Sequence, residues 1–299
     1  MKPISKKSNW LGKCDLRFER GTPSSDLTIQ HGIFNAPFKL MKTENNSDGR
    51  CEIPLLHTAG GLVGGDELIL NVKMGPKSSG LITTVAAQKV YGTVGLSKLH
   101  PEGIWAKQNC NFNIEEEGDL EWLPQELVVF EGGLFEQRMR IRLKPRASFL
   151  STEIVRLGRT AAGEKLGNGC WRSKVEVSRD SYGSSSWEFI DQLELSGDSL
   201  VSDHGLANNP VIGSLIWIAP KDFSTSKIEA LIKLCRSSRD GIKGRMTCNC
   251  LKQGISARYL GESTQAARFW FLRIWSGIRK IRNLSSPENI RVWPLQEDN

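Results

Sequence analysis

The sequence predicts a mainly β protein that forms a single domain over residues 1–299, with a few α-helices late in the chain. Two observations support this fold class. Apolar and polar residues alternate in short runs through residues 10–220, which is the period of a half-buried strand. Helical spacing of apolar residues appears only after these runs, and no internal repeat or low-complexity linker divides the chain.

The early strands are predicted from runs of five to eight residues bounded by Gly, Pro, Asn or Ser. In each run one set of alternating side chains is apolar, and we expect that set to face the core. The apolar sets are Leu16 and Phe18, Leu27 and Ile29, Phe38 and Leu40, and Cys110, Phe112 and Ile114.

The clearest strand lies between residues 138 and 146. Every even position in this segment is cationic, whereas Met139, Ile141 and Leu143 occupy odd positions. A helix would scatter both sets around its axis, and only a strand separates them onto two faces. Further strands are predicted over Phe149–Leu157, Trp171–Ser178 and Trp187–Leu193.

The most distinctive segment is a glycine-rich run from His57 to Leu68, which contains two glycine pairs followed by two acids. Leu68, Leu70, Val72 and Met74 then alternate with polar residues, so the run leads into a strand. Glycine loops that bind phosphate present a helix N-terminus to the anion. A nucleotide site is therefore not expected here.

The late elements are a helix over residues 225–237, strands within 245–262 and a C-terminal helix over 264–282. Ser226 to Glu229 has the sequence of a capping box at the first helix. The C-terminal helix carries a second face of arginines and large apolar residues, a composition typical of partner interfaces. The alternative is that the domain itself covers Trp275. The partner-interface candidates are Arg268, Leu272, Trp275, Arg279 and Arg282.

Composition limits the class of function. A net charge of +7 favours acidic partners but is modest for a nucleic-acid-binding protein. Seven dispersed cysteines are unlike a disulfide framework, the N-terminus lacks the apolar core of a signal peptide, and no apolar stretch has the length of a membrane span. We therefore expect a soluble protein in the cytoplasm, without membrane or nucleic-acid partners.

Motifs for known chemistry are incomplete. Gly158 to Leu166 approaches a phosphate-binding loop, but Glu164 and Lys165 stand where that loop needs lysine and a hydroxyl residue, and Leu166 offers no hydroxyl either. Cys248 and Cys250 share one face of a predicted strand without further paired ligands, so we interpret them as core cysteines. The four histidines are isolated, and no nucleophile motif accompanies them. The sequence predicts no catalytic residues and no tightly bound cofactor.

Charged and polar side chains accompany several predicted strands. Glu126 and Glu131 flank an apolar run, where a buried carboxylate needs a cation, a donor or a proton. Lys89 and Tyr91 follow small residues, and Glu153, Arg156 and Arg159 lie along or just after another strand. Two interpretations remain open: a structural network of salt bridges, and ligands for a divalent cation.

Four segments, in this order, resemble the UreD (UreH) family of urease accessory proteins. They are HTAGGLVGGDE (57–67), TTVAAQKVYGT (83–93), LEWLPQELVVFEGG (120–133) and EIVRLGRTAAGE (153–164). The second segment departs from the family pattern at Val85, Gln88 and Gly92. The resemblance extends over nearly the whole chain, including Arg258 to Gly261.

The resemblance implies a many-stranded, β-helical fold of stacked sheets and a protein that is not an enzyme. It implies a scaffold that joins UreF and the GTPase UreG on apo-urease, with nickel in transit through the protein rather than in a stable site. The candidates for transient nickel ligands are Asp66, Glu126, Glu131, Glu153 and Glu164. The supporting candidates are His57, Lys89, Tyr91, Arg156 and Arg159.

Weak binding suits a metal conduit, because a closed thiolate or imidazole site would retain its cargo. We hypothesise that Asp66, Glu126 and Glu131 offer oxygen ligands while Lys89 and Arg156 orient these carboxylates. Two other classes of function remain as alternatives: an enzyme that binds a phosphate-bearing ligand in its glycine-rich loops, and a nucleic-acid-binding module that uses the C-terminal arginines.

Overall fold

A computed structural model describes residues 9–22, 27–181 and 183–293 of the chain. Within these ranges the chain forms eighteen strands, three α-helices and one turn of 3₁₀ helix at Thr160–Ala162. The helices are α1 (Gly197–Val201), α2 (Thr225–Ser237) and α3 (Thr264–Ile281). The strands are β1 (Leu11–Arg20), β2 (Thr28–Phe34), β3 (Phe38–Leu40), β4 (Glu44–Asn45), β5 (Cys51–His57), β6 (Glu67–Met74), β7 (Ser79–Thr84), β8 (Gln88–Val90), β9 (Ala106–Ile114), β10 (Asp119–Leu123), β11 (Leu127–Val129), β12 (Leu134–Leu143), β13 (Ser148–Leu157), β14 (Cys170–Ser181), β15 (Ser184–Ser196), β16 (Val211–Ile218), β17 (Arg245–Leu251) and β18 (Gly254–Gly261).

The strands build two sheets between which the chain winds repeatedly. In the first sheet β1, β6, β9, β12 and β14 pair in parallel, and β2 and β15 form its antiparallel edges. In the second sheet β5, β7, β10 and β13 pair in parallel, followed by the antiparallel β16, β18 and β17. From β5 to β14 the chain passes back and forth between the two sheets, so each turn stacks on the one before. The prediction of a mainly β, stacked-sheet fold with late helices is confirmed.

The main core lies between the two sheets and follows the predicted alternation. Met139, Ile141 and Leu143 of β12 are buried, whereas Arg138 and Arg142 are exposed on the outer face. Large aromatic residues fill the same space, and burying each of them contributes roughly 1.5–3 kcal/mol. They include Phe112, Trp122, Phe135, Phe149 and Trp171.

A second core lies between the helices and the opposite face of the second sheet. Trp270 and Ile274 of α3 pack with Trp217 and Tyr259 in this cluster, and the indole N–H of Trp270 donates to the carbonyl of Cys235 in α2 at 3.1 Å. Trp293 joins the cluster from the segment that follows α3. Within the described residues, neither α2 nor α3, nor the short α1, combines the length and apolar character needed to cross a membrane.

One local prediction about the helices differs from the structure. The predicted capping box at Ser226 is wrong, because α2 begins at Thr225 with Ser224 as its N-cap. The hydroxyl of Ser226 instead contacts that of Ser224 at 2.8 Å. At α3 the Ser263 hydroxyl accepts from the backbone N–H of Ala266 at 3.1 Å, a normal N-cap that satisfies a free donor.

Strand β2 has its faces reversed relative to the prediction. Leu27 and Ile29, expected to point inward, are 51% and 47% exposed, whereas Thr28 is buried. Thr28 fits inside because its hydroxyl accepts from the Ser79 N–H at 2.9 Å, so this buried hydroxyl is not left unsatisfied. The edge of the first sheet therefore carries apolar side chains on its solvent side.

Candidate functional site

A cavity of about 120 Å³ lies at one end of the space between the two sheets. His57 at the end of β5, Lys89 in β8 and Gln108 in β9 line it, together with Gly60 and Gly61 of the glycine-rich run. A Cβ at Gly61 would lie 2.5 Å from the Tyr91 ring and 3.0 Å from the Lys89 carbonyl oxygen. Only glycine lets the loop approach β8 this closely, which explains why position 61 of the glycine-rich run is glycine.

His57 presents a nitrogen without a partner at this cavity. Its Nε2 is buried and has no hydrogen-bond partner among the described residues. Burial lowers the pKa of His57, and the nearby Asp66 carboxylate opposes this effect only in part. The imidazole is therefore predominantly neutral at pH 7, and neutral imidazole is the form that binds metal ions.

Asp66 is buried, lies within electrostatic range of His57 and closes the glycine-rich loop. Its Oδ2 accepts from the Val63 N–H at 3.0 Å and its Oδ1 from the Trp10 N–H at 3.2 Å. Backbone donors thus orient this carboxylate, so the predicted orienting role of Lys89 or Arg156 is wrong for Asp66. Its visible contacts stabilise the loop, and a role as a nickel ligand stays a prediction.

Polar side chains continue from the cavity into the space between the sheets. Gln108 donates from Nε2 to the Cys110 sulfur at 3.5 Å, and Cys110 lies within electrostatic range of Glu153. Glu153 accepts from Gln137 Nε2 at 2.6 Å and from the Ser173 hydroxyl at 3.3 Å. These contacts join β9, β12, β13 and β14 across both sheets.

The interior environment of Glu153 shifts the pKa of its carboxyl group. Loss of solvation raises the pKa of Glu153 to about 7, and Arg258 and the hydrogen bonds from Ser173 and Gln137 oppose the shift. Arg258 is itself held by Asp191 at 2.5 Å and by the Ser214 hydroxyl at 2.6 Å. A carboxyl group that exchanges its proton near neutral pH can alternate between a neutral donor and an anionic ligand.

We name the interior residues His57, Gln108, Cys110, Gln137, Glu153 and Ser173 the inner polar group; His57 belongs to it because it lines the same cavity as Gln108. Only His57 and Glu153 were predicted from the sequence. The others carry a recognisable signal, because each is a polar or thiol residue in the inward register of a strand. Gln137 shares the parity of Met139 and Ile141, and Gln108 shares that of Phe112.

A second cluster lies at the surface and contains several other predicted residues. The Tyr91 ring meets Phe130 edge to face with centroids 5.1 Å apart, and the Arg159 guanidinium stacks over Phe130 at 4.6 Å. Arg159 also pairs with Glu164, whose Oε1 accepts from the backbone N–H of Glu131 at 2.8 Å. The hydrogen bond from Arg159 lowers the pKa of Glu164, so this carboxylate is ionised and paired. The side chain of Glu131 is exposed.

Arg156 and Arg159 border a wide cleft of about 740 Å³ at this surface. Arg156 donates to the Thr160 hydroxyl and, at 2.9 Å, to the carbonyl of Glu262. The segment resembling a phosphate-binding loop forms only the short 3₁₀ turn, and the glycine-rich run leads into β6. Neither loop presents the N-terminus of an α-helix to a phosphate.

Glu126 lies away from both groups. Its carboxylate pairs with Arg268 of α3, which also stacks over Trp293 at 5.2 Å. The hypothesis that Lys89 or Arg156 orients Glu126 is therefore wrong as well. The structure thus separates the predicted carboxylates: Glu153 joins the inner polar group, Glu131 and Glu164 lie at the surface cluster, and Glu126 faces α3.

The predicted partner interface on α3 is mostly inaccessible. Arg268, Trp275 and Arg279 are buried, so the alternative that the domain covers Trp275 is the correct one. Arg282 is largely covered and pairs with Asp119 at 3.0 Å, whereas Leu272 is partly exposed. Because these arginines are paired inside the fold, they do not form a basic surface for a partner or for nucleic acid.

Among the described residues, no group of three or more His, Cys, Asp or Glu side chains is arranged to hold a metal ion. Cys248 is buried, as expected of a core cysteine, but Cys250 is exposed. His57 therefore provides a single nitrogen ligand at the cavity, and a cation there would complete its coordination with water or with oxygens of neighbouring groups.

Comparison with known proteins identifies relatives over almost the full length of the chain. A sequence model described as UreD urease accessory protein matches residues 11–294. A protein named urease accessory protein UreD from Prochlorococcus marinus strain MIT 9303 is 53% identical over 293 residues, covering 97% of this chain and 98% of the relative. A protein of the same name from Synechococcus sp. strain WH7805 is 52% identical over 293 residues, covering 96% and 92%.

Proposed function

The chain belongs to the UreD urease accessory protein family, and from this premise we propose that it serves the maturation of urease. It acts as a scaffold in the cytoplasm and makes or breaks no covalent bond itself. The observation that carries the proposal is the similarity of residues 11–294 to this family, together with more than half of all residues identical to relatives named urease accessory protein UreD.

We propose further that nickel passes through the space between the two sheets. The inner polar group supports this, because it provides a neutral imidazole, amide and hydroxyl groups and a carboxyl group in a region that apolar side chains otherwise fill. Nickel accepts imidazole nitrogen and carboxylate oxygen as ligands. Single, separated ligands would bind it weakly and release it, as delivery requires.

We also propose that the chain works in a complex with UreF, the GTPase UreG and apo-urease. The absence of a phosphate-binding helix end at either glycine-rich loop favours a GTPase on another chain. Exposed apolar residues, Leu96 and Leu99 among them, offer surface for such contacts.

Deletion and complementation test the maturation role. In cells that carry the urease genes, we expect deletion of this gene to leave urease protein abundant but inactive, and we expect a plasmid copy to restore activity. Affinity purification of the tagged chain from the complemented cells should recover UreF, UreG and urease subunits. Full urease activity in the deletion strain would contradict the proposal.

A further inference from the structure

Lys89 carries a positive charge that no contact in the described part of the chain compensates. Its side chain is exposed, and its ammonium group has neither an ion-pair nor a hydrogen-bond partner among the described residues. The two carboxylates that Lys89 was predicted to orient are held by other groups. Backbone N–H groups hold Asp66, and Arg268 holds Glu126. The charge of Lys89 is therefore left without a role by the contacts described above.

This unpaired charge belongs to the cavity that His57 lines. Lys89 is one of the lining residues, and its Cβ lies 3.1 Å from the position that a Cβ at Gly61 would occupy. Of the described residues that line the cavity, only His57 and Lys89 are ionisable. A divalent cation bound to Nε2 of His57 would therefore share the cavity with an ammonium group, and the two positive charges repel each other.

Asp66 has the opposite electrostatic effect on the same position. Its carboxylate lies within electrostatic range of the His57 imidazole, and its negative charge attracts a cation held there. The N–H groups that bind its two oxygens orient this charge without neutralising it. An imidazole beside an unopposed carboxylate would hold a divalent ion firmly, and such a site would retain its cargo. The ammonium of Lys89 is the cationic group at the cavity that can oppose Asp66.

Given the proposed passage of nickel past His57, we propose that Lys89 limits the affinity of this position for nickel: its ammonium offsets the charge of Asp66 and keeps the bound ion exchangeable. Lys89 acts through its charge and does not touch the metal. Another cationic side chain at position 89 should therefore serve equally well. An uncharged side chain of the same length should turn a position that releases nickel into one that retains it.

The competing interpretation is that Lys89 is an ordinary solvated surface lysine. Its side chain is exposed, and the charge of an ammonium group in bulk water is largely screened beyond about 8–10 Å at moderate salt. In that case the loss of its charge would change nothing at His57. The two interpretations therefore predict different nickel affinities for a variant that lacks the charge.

Nickel titration of the purified, tag-free full chain distinguishes them. Nickel chloride is titrated at neutral pH in a calorimeter, and His57→Gln defines the binding that does not involve the cavity. Lys89→Met keeps the length of the side chain and removes its charge. We expect this variant to lower the dissociation constant of the His57-dependent binding at least about tenfold, equivalent to about 1.4 kcal/mol, because the repulsion is gone.

Two control variants and the salt concentration identify charge as the cause. Lys89→Arg keeps the positive charge and should bind nickel as weakly as the parent. Lys73→Met removes the charge of an exposed lysine on the outer face of β6, which does not line the cavity, and should leave the constant unchanged. Added sodium chloride should narrow the difference between Lys89→Met and the parent, because it screens the repulsion. A difference caused by altered packing would not respond to salt.

The outcomes separate the role of Lys89 from the proposed path of nickel. Tighter His57-dependent binding in Lys89→Met, but not in Lys89→Arg or Lys73→Met, supports the role. Equal affinity of Lys89→Met and the parent, or tighter binding in Lys89→Arg as well, would overturn the role and leave passage past His57 intact. If neither the parent nor Lys89→Met binds nickel in a way that depends on His57, both the role and the passage past His57 are wrong. Circular dichroism and the melting temperature of each variant establish that it is folded.

Discussion

Arg279 of α3 donates from Nη1 to Oε2 of Glu121 in β10 at 3.0 Å, and both side chains are only 1% exposed. Arg279 also bonds Asp48 and the Ser285 carbonyl, while Arg50 lies 3.6 Å from the same Glu121 carboxylate. This buried charge network links the C-terminal helix α3 to the second sheet. The network also explains the presence of arginines in α3: they pair with buried carboxylates of the same chain and are not accessible to a partner protein.

Removing Arg279 should destabilise the fold strongly. Arg279→Met leaves Glu121 and Asp48 short of a cation in a buried site, which typically costs about 3–5 kcal/mol. Urea unfolding followed by tryptophan fluorescence measures the change. The matched control is Arg138→Met, because Arg138 pairs with Glu136 at 3.1 Å on the exposed sheet face. Its loss should cost less than about 1 kcal/mol. Equal losses in both variants would show that the buried network does not stabilise α3.

Glu153 should make stability fall as the pH rises toward neutrality. Its pKa is raised from 4.5 to about 7 in the folded chain, so between these values the folded state binds more protons than the unfolded state. Glu153→Gln stays neutral and removes this effect. The variant should gain on the order of 2 kcal/mol relative to the parent between pH 5 and pH 8, after allowance for the partial exposure of the side chain. Parallel denaturation curves across this range would contradict the assignment.

Asp119 should act with the opposite sign at acid pH. Burial disfavours its charged form, but Arg282 and Arg50 outweigh burial and hold the pKa of Asp119 below its ordinary value of 3.8. The stabilisation is therefore present above pH 3.8 and is lost as the pH falls below it. Asp119→Asn should be less stable than the parent at pH 7, and the difference should shrink on acidification. We would measure melting temperatures from pH 7 to pH 2; a constant difference would be inconsistent with this linkage.

The two adjacent glycines at the cavity should differ in their tolerance of alanine. Gly60 has φ +75° and open space around its Cβ position, so Gly60→Ala should cost only about 1–2 kcal/mol for the left-handed backbone. Gly61→Ala must also displace Tyr91 or the β8 backbone, which adds roughly 1–3 kcal/mol. Thermal unfolding compares the two variants. A Gly60→Ala variant that melts lower than Gly61→Ala would show that close approach to β8 is not the constraint.

The sequence predicts those parts of the fold that depend on local periodicity. The alternation from Arg138 to Leu143 predicts both the strand and its faces, because the core takes one side of every central strand. The same rule fails at Leu27 and Ile29, where an edge strand leaves its apolar side chains in solvent. The partners of Arg279 could not be predicted, since Glu121 and Asp48 are 158 and 231 positions away and only the tertiary fold brings them together.

Only part of the candidate site could be predicted, because its remaining contacts are also formed by residues far apart in the sequence. His57 and Glu153 belong to segments whose chemistry is visible in the sequence. The cavity that His57 shares with Gln108, and the hydrogen bond of Gln137 to Glu153, depend on how the two sheets face each other. Glu126, Glu131 and Glu164 looked equivalent to Glu153 in the sequence. The structure distinguishes them, because Arg268 and Arg159 neutralise two of them and the third is exposed.

The most direct test of the central claim, that nickel passes between the sheets, is the nickel content of urease matured with a filled cavity. Ala87 lines the cavity beside His57, and Ala87→Phe should occupy that space. The control Ala161→Phe places the same ring at the open surface cleft. Both variants must still co-purify with urease. We predict urease with little nickel and low activity for Ala87→Phe and parental values for Ala161→Phe; parental nickel content with the cavity filled would contradict the account.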